Sequence, residues 1–166
     1  MEFPKFPKKL TVEEICYIIV SNCVHKNYPK DSNFLNEELT YVKYFAFDYG
    51  TALKLGMDNP IRNAILDSCL YQFAEMTESG TLPPWFIEKL DQRLYSYTIA
   101  VKTCSKPLIE DVSHAIGEMF VSCVNSSQGR TELMPQEAEL IGKSSTMFLG
   151  VVTLILKLLK TAKILY

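Results

Sequence analysis

Residues 144–160 read Ser-Ser-Thr-Met-Phe-Leu-Gly-Val-Val-Thr-Leu-Ile-Leu-Lys-Leu-Leu-Lys. On a helix of 3.6 residues per turn, Lys143, Thr146, Gly150, Thr153, Lys157 and Lys160 recur at steps of three and four and fall on one narrow stripe. Everything around the stripe is apolar. A helix that is hydrophobic over most of its circumference has to be enclosed on several sides. The stretch from Pro135 to Tyr166 is therefore expected to form the central helix of a bundle, or the helix at a subunit interface.

Working back along the chain, five more helices are expected. Thr11-Val-Glu-Glu14 has the form of a capping box and opens the first, at about 12–27, which the turn cluster 28–33 ends. The second runs over about 36–55, with Gly56 as its left-handed stop. Asn59-Pro60, a cap followed by proline at the first helical position, opens the third at about 60–79, which Gly80 closes. Pro83-Pro84 opens the fourth at about 84–104. Ser105-Lys106-Pro107 punctuates the start of the fifth at about 107–124, where Leu108, Ile109, Val112, Ile116, Met119 and Phe120 share one face. The inward stripes of the second, third and fourth helices are expected to include Leu53, Leu70 and Ile87 respectively. No alternating run bounded by turns argues for a sheet. The reading is an all-α, single-domain bundle of about six helices over residues 11–166, behind an extended arm at 1–10. In that arm Phe3-Pro4-Lys5 repeats as Phe6-Pro7-Lys8, and each proline disfavours helix in the residue before it.

A chain of 166 residues with 48% apolar and 22% charged residues can bury a core of its own. Its net charge of −2 gives no general attraction for nucleic acid. The charge is uneven. Residues 1–10 carry three lysines against one glutamate, and residues 140–166 four lysines and no acid, which leaves the middle of the chain at −8. Cys16, Cys23, Cys69, Cys104 and Cys123 are an odd number without a Cys-x-x-Cys, as free thiols in a reducing compartment would be. The first residues lack the apolar run of a signal peptide, so a cytoplasmic location is expected. Only thirteen uncharged residues separate Lys143 from Lys157, against the roughly 18–20 needed to span a bilayer.

Recognisable catalytic chemistry is sparse. His25 and His114 stand far apart without ligand spacing, so no metal or cofactor is expected. There is no nucleophile elbow, P-loop or dinucleotide fingerprint. Cys104, at a helix C-terminus, lacks the helix N-terminus that would activate a thiol nucleophile. The least ordinary feature is Tyr41-Val-Lys-Tyr-Phe-Ala-Phe-Asp48-Tyr49, an aspartate among aromatic residues. Burying Asp48 requires a partner, for which Arg62 and Arg93 are the candidate counter-ions and Tyr44, Tyr71, Tyr95 and Tyr97 the candidate hydroxyl donors. Aromatic stripes at helical spacing are commonly core, so a buried network fixing helix register is the first reading. A pocket for a planar or amine-bearing ligand, lined by Tyr41, Tyr44, Asp48, Arg62, Arg93 and Tyr97, is the alternative.

For the last helix, burial within one subunit is the simplest expectation, ahead of a two-fold interface through Met147, Gly150, Val151, Leu154 and Leu158. In that interface Gly142, Ser145 and Gly150 would permit close backbone approach. Contact with an anionic membrane surface, through Lys157, Lys160 and Lys163 beside Leu154, Leu158, Leu159 and Ile164, ranks third. The functional expectation is a small interaction or regulatory protein that binds another protein, as a homodimer. A ligand-sensing bundle comes second and an enzyme third.

Overall fold

The computed structural model describes residues 9–24, 34–105, 108–129, 136–161 and 163–165. Among these the chain forms β1 (Lys9–Thr11), α1 (Val12–Cys23), α2 (Phe34–Leu55), α3 (Pro60–Glu78), α4 (Phe86–Thr103), α5 (Ile109–Ser127), α6 (Glu137–Thr161) and β2 (Lys163–Leu165). The all-α bundle of six helices read from periodicity is the architecture found. The Phe-Pro-Lys arm, His25, the turn at 28–33, Lys106-Pro107 and Pro135 lie outside the described residues.

Local signals place the helix ends. At the start of α1 the Thr11 amide donates to Glu14 Oε2 at 2.8 Å and the Glu14 amide to Thr11 Oγ1 at 3.2 Å, a complete capping box. Asn59 Oδ1 accepts from the Ile61 amide at 2.9 Å ahead of α3, with Pro60 in the first turn where its missing N–H costs nothing. Gly56 and Gly80 follow α2 and α3 with φ of +94° and +74°, a backbone that side chains with a Cβ rarely adopt. α4 begins later than expected. Pro83-Pro84 forms a turn, the Phe86 amide donates to the Pro83 carbonyl at 3.0 Å, and the helix starts at Phe86.

α6 lies against α2 and α5, and two glycines on those neighbours let it come close. A Cβ on Gly50 of α2 would collide with Ile155, and one on Gly117 of α5 with Ser145 and the Ile141 carbonyl. Phe148, Val152, Ile155 and Leu158 fill the seam. An aromatic layer continues from it through α2. Phe45 stacks on Phe148 with centroids 6.3 Å apart and tilts against Tyr97 at 5.4 Å, while Tyr44 meets Phe73 edge-on at 5.2 Å. Tyr41, Tyr44 and Thr51 of α2 are buried as well. α2 is enclosed on more sides than its pattern suggests.

Four apolar expectations fail. Leu53, Leu70 and Ile87 are exposed because each lies at the edge of its helix's apolar sector, and Leu108 is 61% exposed because it precedes α5 rather than joining its face. The strands are the other departure. β1 and β2 pair in parallel, with Leu10 opposite Ile164, and bring the two ends of the chain together. Leu10 is buried and Ile164 packs on the core, so the ribbon adds to the hydrophobic enclosure of α1. Lys9 and Leu10, within the stretch read as an arm, thus belong to a strand.

Candidate functional site

The six residues grouped as a ligand pocket divide between two networks. Asp48 of α2 forms an ion pair with Arg62 of α3, and Arg62 Nη1 also donates to the Met57 carbonyl at 3.0 Å. Burial raises the Asp48 carboxyl above its ordinary range despite Arg62, whose charge and hydrogen bond pull it back. Tyr44, on the same side of α2, points its hydroxyl at the Leu66 carbonyl 3.5 Å away. Arg93 is not part of this group, and the expected donors Tyr71 and Tyr95 are 66% and 70% exposed.

Arg93 belongs to a second network with Glu37 and Glu38, which sequence reading did not single out. Its Nε donates to both Glu38 carboxylate oxygens, at 3.0 and 2.8 Å, and its Nη2 reaches Oε1 at 2.7 Å. Ser127 at the end of α5 adds a hydroxyl donor at 2.8 Å, and Lys89 stands 3.5 Å from Glu38. Lys89 also pairs with Glu37 at 2.6 Å, and the Tyr41 hydroxyl donates to Glu37 at 3.0 Å. Glu38 is completely buried. Two acids on α2 and two bases on α4 balance, and every carboxylate oxygen contact described is internal. The arrangement is a fastener between α2, α4 and α5 with no carboxylate left for a substrate. The one signal for it was Lys89 and Arg93 at i, i+4 on a face that also buries Tyr97. Tyr97 is fully buried near this network, and its hydroxyl has no hydrogen-bond partner. Burial pushes its pKa well up.

The α6 stripe is where the pattern placed it: Lys143, Thr146, Gly150, Thr153, Lys157 and Lys160 are all exposed. Of the residues read as an interface, Gly150 is open, with nothing within 4 Å of where a Cβ would sit, and Met147, Val151 and Leu154 are half-buried beside it. Leu158 is buried within the subunit, so it offers no surface to a second copy. Gly142 is open like Gly150, whereas Ser145 turns inward against Gly117. α6 has 25 residues at a mean hydropathy of 1.4 over its most apolar window, long and apolar enough to cross a membrane by length and composition alone.

Two concave surfaces are also present. One, of about 420 Å³, lies between the start of α2, the end of α5 and the start of α6, where Asn125 donates to Glu137 at 2.7 Å. The other, of about 560 Å³, runs between α4 and α5, with Cys104, Asp111, His114 and Glu118 on its polar sides and the small residues Ala100 and Ala115 leaving the space. None of the six residues of the expected pocket lines either one. Among the described residues no three of His, Cys, Asp and Glu are arranged to hold a metal ion. None of the five cysteines forms a disulfide with another; Cys104 is half-buried and the other four are buried. Burial raises the Cys123 thiol to about 11. Compared with family models, with curated proteins and with solved structures, the chain matches none.

Proposed function

We propose that this chain is a small interaction protein that acts by binding another protein, and that it pairs with a second copy of itself through the outer face of α6. The observation that carries the reading is the open Gly150 stripe. Its small residues Thr146, Gly150 and Thr153, bordered by the half-buried Met147, Val151 and Leu154, let another backbone approach and complete the burial of those three. An antiparallel, two-fold arrangement centred on Gly150 opposes the helix dipoles. It also brings Glu139 at the start of one α6 near Lys160 at the end of the other.

Two alternatives have less support. Insertion into a membrane surface needs apolar side chains beside the lysines, and Leu158 and Leu159 are turned into the bundle instead. Ligand sensing at Asp48 needs an uncommitted carboxylate, and Asp48 is held by Arg62. Five cysteines without a disulfide between them suit work in a reducing compartment such as the cytoplasm. Native mass spectrometry of protein purified without detergent tests the pairing. A dimer without added mass is expected, and a monomer at every concentration contradicts it.

A further inference from the structure

We infer that Cys16 and Cys69 are a redox pair, which a hydroperoxide converts from two thiols into a disulfide that staples α1 to α3. The two helices pack against each other, and Cys16 and Cys69 stand on the facing sides with no exposure to solvent. Their side chains touch. The Cys69 thiol donates to the Cys16 sulfur, and the Ser68 hydroxyl donates to it as well. Sulfurs in contact across two packed helices have their Cβ atoms turned toward each other, as a disulfide requires. Cys23, the other thiol of α1, cannot take the place of Cys69. It lies seven residues along the helix from Cys16, a separation of about 10 Å along the axis and beyond the reach of a disulfide.

The same contact sets the order of events. With two donors aimed at it, Cys16 is the sulfur that carries a negative charge more easily. The hydrogen bond from Cys69 lowers its pKa, burial opposes this, and Ser68 adds to the lowering. The Cys16 thiolate attacks one peroxide oxygen; an S–O bond forms as the O–O bond breaks, and the other oxygen leaves as alcohol or water with the proton Cys16 gave up. Cys69 then attacks the Cys16 sulfenic acid. The S–S bond forms, the S–O bond breaks, and water leaves with the Cys69 proton. The two sulfurs together give up two electrons, which the O–O bond receives. Ser68 is half-buried, so the pair lies just beneath the surface, and a molecule as small as hydrogen peroxide reaches it through local opening of the twelve-residue α1.

Hydrogen peroxide treatment of the folded protein tests the pair, followed by alkylation of the remaining thiols in denaturant and peptide mass mapping. A peptide joining Cys16 to Cys69 is expected, lighter by two hydrogens than its two parts and lost on reduction with dithiothreitol. Cys23→Ser should leave its yield unchanged. Cys69→Ser should abolish it and leave Cys16 as a sulfenic acid that dimedone traps. Recovery of Cys16 and Cys69 as free thiols overturns the assignment, as does linkage of Cys16 to a different cysteine. So does a Cys16–Cys69 link that forms as readily in urea-unfolded protein, since the folded contact would then not direct it. Should Cys69→Ser fail to fold, the peptide map of the unsubstituted protein and its urea control decide the question. None of these outcomes depends on the state of association, because neither α1 nor α3 carries the face through which a second copy is proposed to bind.

Discussion

Glu38 and Tyr97 lie close together in the core, and elementary physics assigns them opposite consequences. Glu38 is completely buried with donors from Arg93 and Ser127. Removing one member of a buried ion pair strands the other's charge, so Glu38→Ala should lower stability by about 3–5 kcal/mol in a denaturant titration. The Tyr97 hydroxyl is buried without a partner, and an unmade hydrogen bond is itself a cost. Tyr97→Phe should therefore leave the melting temperature unchanged or raise it. A clear loss would mean that the hydroxyl is used. The two acids also show what a sequence exposes at this scale. Asp48 was visible because it interrupts an aromatic run, and of the two arginines expected as its counter-ion, Arg62 is the one that pairs with it. Glu38 sits in the opening turns of α2, where acids commonly serve the helix dipole. Nothing local distinguishes one that points inward at another helix.

At the scale of the element, the glycines separate contact surfaces from open ones. Gly50 and Gly117 face α6 with no room for a methyl group, and Gly150 on α6 faces open space. Gly50→Ala and Gly117→Ala should each destabilise by about 1–3 kcal/mol through overpacking. Gly150→Ala should stabilise the isolated fold by about 0.5–1 kcal/mol, because glycine is the costlier residue inside a helix. Thermal unfolding of the three variants distinguishes the signs. The orientation of α6 was legible beforehand, since the polar stripe marks the outer side at a helical period. The sides of α2 and α5 that receive it were not legible, because a glycine within a helix gives no sign of which neighbour needs the space. Periodicity likewise blurs at sector edges, which is why Leu53, Leu70 and Ile87 were expected inside and lie outside. The ribbon had no signal at all. Three residues at each end of the chain are too few to show an alternation, and their pairing depends on where the bundle brings the ends.

On the scale of the whole molecule, polar networks hold α2 against α3, α4 and α5, with Arg62 Nε left without a hydrogen-bond partner, and the outer face of α6 carries the small residues Thr146, Gly150 and Thr153 between Lys143 and Lys157. The account rests on that face being covered by a second copy. Sedimentation velocity of the unsubstituted protein beside Gly150→Arg tests it most directly. Arginine is a good helix former and has open space at this position, so the single subunit should fold at least as well. A close two-fold contact centred there could not accommodate it. The account predicts a dimer for the unsubstituted protein and a folded monomer for Gly150→Arg. An unsubstituted protein that stays monomeric as concentration rises, or a variant that remains as dimeric as its parent, would contradict it.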